Sequence, residues 1–263
     1  ALDYLPPVDV TFFDYLRAVI TADFEMVHDD RLNYRVAFVE AFSRRGIFPG
    51  DHDDHSRDGG RSLSADTLRW PGFSRSKIRR DNSENALEGF RRVTARLKKH
   101  ADECLYLDDR EELFHATRKQ RIILQNQLNT AFKEAPEFAK SLGLVTDRTF
   151  EVHTLRRAMR VRFDGKASPQ VFVSLTQSET VPEDTDKGIP RHTIRGGSTL
   201  VVDLTDAEVP KYLIVKKIQS NQRRKATANF RKKVEADALL RLFFSSDRSE
   251  PFAALHELAD EGA

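Results

Sequence analysis

Apolar residues recur with a period near 3.6 through the first half of the chain and with a period of two from residue 148 onward. Near the N terminus, Thr11 and Asp14 have the spacing of a capping box, and the apolar pattern after them predicts a helix that ends near residue 25. A second amphipathic helix follows and is closed by Gly46, so the two helices should form an antiparallel hairpin. The predicted apolar face of the second helix consists of Tyr34, Ala37, Phe38, Ala41 and Phe42.

Residues 50–63 interrupt this pattern because they contain almost no apolar side chain. Their composition predicts an exposed loop and a domain boundary, which leaves 1–49 as a first helical domain. Helical spacing returns from 64 to 147, and this region should contain two long helices and a short one that begins at Pro136. The first long helix carries a basic face formed by Arg91, Arg92, Arg96, Lys98 and Lys99.

Residues 148–263 are predicted to form a small antiparallel sheet with a basic C-terminal helix. Alternating apolar segments flank the turn sequence Asp164-Gly165, and two further strand patterns follow at 199–204 and 212–218. The predicted fold class is therefore α+β, with an N-terminal helical hairpin and a helical region before the sheet.

Composition narrows the class of protein. Hydrophobic residues make up 39% and charged residues 32% of the 263, and 18 phenylalanines require a core, so most of the chain should fold. The formal net charge is only +2, so binding to nucleic acid must be local. Cys104 is the only cysteine, which excludes an internal disulfide and a zinc site built from cysteines. The sequence has neither a bilayer-spanning apolar run nor a signal-peptide pattern, and we expect a cytoplasmic protein with no membrane partner.

The strongest charge pattern lies between Lys211 and Lys233, a segment without an acidic residue. Such a surface can neutralise phosphates, so the segment is a candidate contact for nucleic acid or another acidic partner. The candidate contact residues are Lys216, Lys217, Arg223, Arg224, Lys225, Arg231, Lys232 and Lys233. The alternative is a solvated face whose charge is balanced by acidic residues elsewhere in the chain, and the sequence alone leaves both open.

Other candidate chemistry is sparse. His52 and His55 lie among aspartates in the 50–63 loop, where they are either metal ligands or solvated side chains, and we favour the second. Gly196-Gly197 allows close approach of a ligand or, as we favour, a hairpin or bulge. The sequence has no Gly-x-Ser-x-Gly, Walker or His-Glu-x-x-His motif, so we predict no catalytic residue, metal ligand or cofactor site in this chain.

The first 49 residues resemble a known family. The segment ALDYLPPVDVTFFDYLRAVITAD, the helix that contains YRVAFVEAF and the following RRGIFP are similar to the closing helices of the catalytic domain in bacterial relatives of thermolysin-like zinc metallopeptidases, the gluzincins. A weaker similarity to the carboxy-terminal extension of the same relatives lies in the RGGSTLVVD segment, which begins at Arg195.

The resemblance implies that this chain is the carboxy-terminal part of a protein that hydrolyses peptide bonds. In that family the two His of a His-Glu-x-x-His motif and a downstream Glu hold zinc, and the Glu within the motif is the general base. All of these residues lie upstream of the matched helices, so the resemblance assigns none of them to this chain and places zinc in the full-length protein. The chain also begins with Ala1 and enters apolar sequence at once, which is typical of a chain cut from a longer one.

The resemblance also predicts a partner for the hairpin. The missing catalytic portion, or a second chain, should pack on the helices within 11–45. Five apolar side chains should then be buried, either against the rest of this chain or against that partner: Phe12, Leu16, Val19, Phe38 and Phe42.

Overall fold

The computed structural model describes residues 1–47, 65–76, 78, 84–104, 106–161, 164–205, 208–237, 240–241 and 244. A 3-10 turn at Leu2–Tyr4 precedes the first helix. The helices are α1 (Phe12–Met26), α2 (Tyr34–Ser43), α3 (Ala65–Leu68), α4 (Glu84–Glu103), α5 (Arg110–Glu134), α6 (Pro136–Ser141) and α7 (Asn221–Ala236). The strands are β1 (Phe150–Val161), β2 (Ala167–Val181), β3 (His192–Asp203) and β4 (Tyr212–Lys216). The predicted boundary loop at 50–63, with His52 and His55, lies outside the described residues.

The four strands form one antiparallel sheet in the order β1-β2-β3-β4, which confirms the predicted α+β class. The turn predicted at Asp164-Gly165 separates β1 from β2, and Gly165 has a φ of +77°, a conformation that favours glycine. The chain divides into two compact units. The first consists of Ala1–Ser178 and Arg195–Gln219, and the second consists of Glu179–Ile194 and Ser220–Ala263.

One face of the sheet in the first unit is covered by α4, α5 and α6. The side chains of β2 alternate, so Val171 and Val173 point to this face while Phe172 points to the other. The contact is apolar, and Phe90 of α4 packs edge-on against Phe138 of α6 with ring centroids 4.9 Å apart. Helical spacing gives the expected result for α4, whose apolar stripe faces the sheet, but not throughout α5, where Phe114 and Ile122 are exposed.

The outer edge of β1 is closed by side chains of α5. The amide of Gln125 donates to the carbonyl of Phe150 and accepts from the N–H of Val152, each at 2.8 Å, so it occupies the place of a neighbouring strand. The Nε of Arg121 donates to the Val152 carbonyl at 3.0 Å. This pairing satisfies backbone groups that an edge strand otherwise presents to other chains.

The N-terminal segment and α1 cover the opposite face of the sheet. Tyr4 is fully buried, and its ring packs edge-on against Phe172 and Tyr212 with centroids 5.8 Å away in both cases. Ala18 and Ala22 of α1 complete this second core. The first unit therefore has three layers, with helices on both faces of the sheet.

The start of α1 confirms the predicted capping box. The Thr11 hydroxyl accepts a hydrogen bond from the Asp14 backbone at 3.1 Å, and the Asp14 carboxylate accepts one from the Thr11 backbone at 2.8 Å. Two of the orphan N–H groups at the helix start are satisfied in this way.

The predicted apolar face of α2 was wrong in its phase. Arg35 and Val39 are the buried residues of this helix, whereas Tyr34 and Phe38 are exposed. The cause is the buried guanidinium of Arg35, which donates to the Asp23 carboxylate at 2.7 Å and to backbone carbonyls of the α1–α2 connection. These charge-assisted bonds turn Arg35 toward α1, so Tyr34, Ala37 and Phe38 are exposed, while Ala41 and Phe42 at the end of the helix stay half-buried.

The second unit contains α7 and the outer ends of β2 and β3. Backbone groups of Asp184 and Ile189 exchange two hydrogen bonds of 2.9 Å across the connection between these strands. Arg224 of α7 forms an ion pair with Glu179. The end of this unit after residue 244 is not among the described residues.

Candidate interaction surfaces

The outer side of the α1–α2 hairpin is apolar and exposed. Phe12 is 73% exposed and Phe38 is 44% exposed. Their stripes continue with Tyr15 on α1 and Tyr34 on α2, at helical spacings of three and four residues. We name the four side chains Phe12, Tyr15, Tyr34 and Phe38 the hairpin outer face. Such a group of neighbouring exposed apolar side chains is typical of an interaction surface.

The structure divides the five hairpin side chains that were predicted to be buried. Leu16 is buried within this chain, and Val19 and Phe42 are half-buried. Phe12 and Phe38 are not covered by the described residues, so their contact with a second chain or a catalytic portion stays a prediction.

The inner side of the hairpin is held to the sheet by buried charges. Asp14 pairs with Lys216 at 2.8 Å, and both side chains are buried or nearly so. Glu25 accepts from Lys211 at 2.5 Å and from the Tyr212 hydroxyl at 2.6 Å. Burial, together with the Glu25 carboxylate, raises the pKa of Tyr212 far above its usual value, so this phenol stays protonated and the network acts as a structural link.

The N-terminal turn is tied to β1 in the same way. Asp3 forms ion pairs with Arg156 and with Arg160, the second at 2.6 Å. The Tyr4 hydroxyl donates to Gln170 at 3.1 Å, and burial raises the pKa of Tyr4 to about 12. These bonds fix the N-terminal turn to the sheet.

The eight candidate polyanion contacts are in different surroundings. Lys216 and Lys217 belong to the first unit and the other six to the second. Lys216 is already occupied by Asp14, and Arg224 by Glu179. On α7, Arg231 donates to the Phe244 carbonyl, and Lys232 donates to the Lys187 carbonyl while its side chain stays exposed.

Three lysines of α7 are the most accessible part of the basic segment. Lys225, Lys232 and Lys233 are exposed, and they share one side of the helix because the adjacent Lys232 and Lys233 follow Lys225 by two helical turns. None of the three has an acidic partner among the described residues. Arg223 is half-buried, so it contributes less to this surface.

A groove between α4 and α5 was not predicted from the hydrophobic pattern. Its volume is about 1010 Å³. Apolar side chains of α4, α5 and α6 form its floor, and the basic side chains Arg92, Arg96 and Lys99 lie along its α4 rim. The α5 rim is polar and carries Asn126, Gln127 and Thr130.

The basic side chains of the groove differ in how far they are neutralised. Arg92 lies 3.3 Å from Glu88 and 4.0 Å from Glu134, and Lys99 lies 3.9 Å from Glu103. Arg96 has no ion pair within the described part of the chain, and its Nε is buried without a hydrogen-bond partner. Because Arg92 and Lys99 already have carboxylate partners and Arg96 has none, Arg96 is the basic groove residue most suited to an external carboxylate.

The only cysteine does not have the surroundings of a reactive thiol. Cys104 is buried with its Sγ 3.5 Å from Nδ1 of His100. Burial raises the pKa of Cys104, and burial with the nearby Arg157 charge lowers the pKa of His100, so both side chains stay neutral near pH 7. The pair therefore packs as two neutral groups.

Close packing explains the Gly196-Gly197 pair. A Cβ at Gly196 would lie 2.6 Å from the Ile218 backbone, and a Cβ at Gly197, whose φ is +155°, would collide with the Leu175 carbonyl. The two glycines let β3 approach its neighbours without steric conflict. This supports the interpretation of the pair as a feature of the sheet.

Within the described residues, no group of three or more His, Cys, Asp or Glu side chains is arranged to hold a metal ion. No described helix combines the length and the apolar character that crossing a bilayer requires.

Comparison with known proteins identifies no relative of this chain. No family model matches it, and no curated protein or solved structure is significantly similar to it.

Proposed function

We propose that this chain is the carboxy-terminal region of a gluzincin-type zinc metallopeptidase-like protein, in which the α1–α2 hairpin packs against the catalytic portion. Peptide-bond hydrolysis would then belong to residues outside this chain. The described residues do not fit a zinc site, so we assign no step of the hydrolysis to them. A cytoplasmic location is part of the same proposal and is supported by the unpaired, buried thiol of Cys104.

The observation that carries this proposal is the hairpin outer face. Residues 1–49 carry the resemblance to the closing helices of a gluzincin catalytic domain, and the same helices expose Phe12 and Phe38. The buried Asp14–Lys216 pair and the hydrogen bonds of Arg35 hold the hairpin in an orientation in which the described residues leave these rings uncovered. A packing partner would remove this apolar surface from water.

The test compares this chain with the product of its complete reading frame. The sequence upstream of Ala1 should encode a His-Glu-x-x-His motif, and the full-length protein should cleave a peptide substrate in a reaction that a zinc chelator stops. The double variant Phe12→Ser/Phe38→Ser should lower the melting temperature of the full-length protein but change the stability of the isolated chain by no more than about 0.5 kcal/mol.

A matched control is Phe114→Ser on α5, where the ring is 60% exposed but lies outside the hairpin. This variant should affect neither protein. An upstream sequence without the motif would contradict the peptidase assignment. A double variant without effect on the full-length protein would contradict the packing of the hairpin.

As a second candidate we propose contact with a polyanion through α7. It is supported by the exposed lysines Lys225, Lys232 and Lys233, which have no acidic partner among the described residues. Replacing the three by Ala should weaken binding to a fluorescent DNA duplex and reduce the salt dependence of its affinity, because fewer counterions are released. The control replaces Arg110, Arg118 and Lys119 of α5 by Ala. Absence of DNA binding by the parent chain at low salt would reject this candidate.

A further inference from the structure

The groove between α4 and α5 has the form of a site for a third helix. The two helices are joined by a short connection, and Phe138 of α6 lines the groove between them. Gly89 lets the Phe138 ring lie directly on α4, since a Cβ at Gly89 would be 2.6 Å from the ring. Elsewhere the lining residues Ala95, Ala131 and Ala135 are small and leave the space open.

The dimensions of the groove match several turns of helix. Asn85 and Lys99 are the first and last α4 residues that line it, and at 1.5 Å per residue they lie about 21 Å apart along the helix axis. A segment of about 14 residues in helical form has this length. The floor supplies apolar contacts through Val93, Leu128 and Phe138, which an amphipathic helix would cover with its apolar stripe.

The charges in the groove favour an acidic occupant. Glu88 and Glu134 are engaged by Arg92, and Lys99 is only weakly paired with Glu103. Arg96 lies between Arg92 and Lys99 on the rim, is half-buried, and has no ion pair within the described residues. A carboxylate beside the apolar stripe of the occupant would pair with its terminal guanidinium nitrogens, which are not among the buried atoms, in charge-assisted hydrogen bonds.

We propose that this groove docks an amphipathic α-helix of a partner protein and that a carboxylate of that helix pairs with Arg96. The proposal is independent of the peptidase assignment, because it uses only α4, α5 and α6. It concerns a different surface from the hairpin outer face, and each can fail without the other.

The test uses two fluorescein-labelled peptides of about 16 residues with one leucine stripe. In the acidic peptide glutamates flank the stripe, and in the neutral peptide the same positions are glutamines. Fluorescence anisotropy with the purified chain should show tighter binding of the acidic peptide. Arg96→Gln should weaken binding of the acidic peptide at least about tenfold, because a hydrogen bond to a charged group is lost. The same variant should leave the affinity for the neutral peptide unchanged. The difference between the two peptides then measures the interaction between Arg96 and a peptide carboxylate.

Two further variants separate the groove from general effects. Arg118→Gln removes an exposed charge of α5 outside the groove and should leave both peptides unaffected. Asn126→Trp places a bulky ring on the exposed α5 rim and should block binding of both peptides. The variant should keep the circular dichroism spectrum of the parent chain.

Three results would overturn the proposal. The first is equal binding of the acidic peptide to the parent chain and to Arg96→Gln, or no binding at all. The second is displacement of the peptide by sodium decanoate at lower concentration than by unlabelled peptide, which would identify a small amphiphile as the ligand. The third is dimerisation of the chain in sedimentation experiments that Asn126→Trp abolishes, which would identify a second copy as the occupant.

Discussion

The layers that cover the two faces of the sheet differ in how many buried charges they contain. Toward α4, α5 and α6 the contact is apolar, with fully buried residues such as Phe90, Leu97 and Leu124. Toward α1 and the N-terminal turn, a smaller apolar cluster is accompanied by the buried ion pairs of Asp14 and Glu25. The α1–α2 hairpin thus buries charged groups together with small and aliphatic side chains, while the aromatic rings of Phe12 and Phe38 stay exposed.

This difference determines how each layer responds to change. An apolar layer tolerates substitutions that conserve volume and loses stability when a cavity is created. A layer held by buried ion pairs responds mainly to the loss of one partner, because the remaining charge is buried without compensation. The hairpin is therefore fixed in orientation by a few specific contacts, and its outer rings remain accessible to a partner.

The largest effect is expected from the apolar layer. Phe90→Ala removes a fully buried ring that packs against Phe73 and Phe138. We expect a loss of about 3–5 kcal/mol in the free energy of unfolding, measured by urea denaturation, from lost apolar contact and the cavity. A loss below about 1 kcal/mol would show that this layer is loosely packed.

Breaking one buried pair is expected to cost nearly as much. Lys216→Met keeps the length of the side chain but leaves the Asp14 carboxylate, which is 1% exposed, without its cation. We expect a loss of about 3 kcal/mol in urea denaturation. The double variant Asp14→Asn/Lys216→Met should recover part of this loss, because no buried charge remains. A single variant as stable as the parent would mean that the pair does not hold the hairpin.

A smaller effect is expected at the start of α1. Thr11→Ala removes the hydroxyl that accepts from the Asp14 backbone and should cost about 1 kcal/mol in thermal or urea unfolding. Thr11→Ser keeps the hydroxyl and serves as the control. Equal losses for the two variants would show that the methyl group, not the cap, is the stabilising part.

The smallest effect depends on pH and belongs to the apolar layer. Burial and Arg157 lower the pKa of His100 below its usual 6.5, so the unfolded chain binds a proton at a higher pH than the folded chain does. The His100 contribution is fully present above pH 6.5 and is lost as the pH falls below it. His100→Gln should therefore make the free energy of unfolding less dependent on pH between about 7 and 5. An unchanged pH profile would mean that His100 is not the titrating group.

Local pattern was sufficient for much of the fold. The capping box of Thr11 and Asp14, the start of α6 at Pro136 and the turn at Asp164-Gly165 were all predicted correctly, because each depends on residues close together in sequence. The α+β class followed from the change of hydrophobic period near residue 148. These features need no knowledge of distant contacts.

The candidate sites were less predictable. Lys216 was expected on a basic surface, but Asp14, some two hundred positions earlier in the chain, places it in a buried pair. The prediction of the apolar face of α2 was wrong because Arg35 is buried. Its charge alone disfavours burial, but hydrogen bonds to the Asp23 carboxylate and to backbone carbonyls compensate for the loss of water. The groove beside Arg96 depends on how α4, α5 and α6 pack against one another, which helical periodicity does not encode.

The sequence by itself determined which segments are helices or strands, where several of them begin, and that the apolar stripe of α4 would be buried. The tertiary structure alone decided which charges are neutralised inside the chain, which side of the hairpin faces the sheet, and that Arg96 borders an open groove. The reason is physical: hydrophobic period and caps act over a few residues. A charge can be buried only where a distant segment supplies its partner, and this becomes defined only when the layers pack.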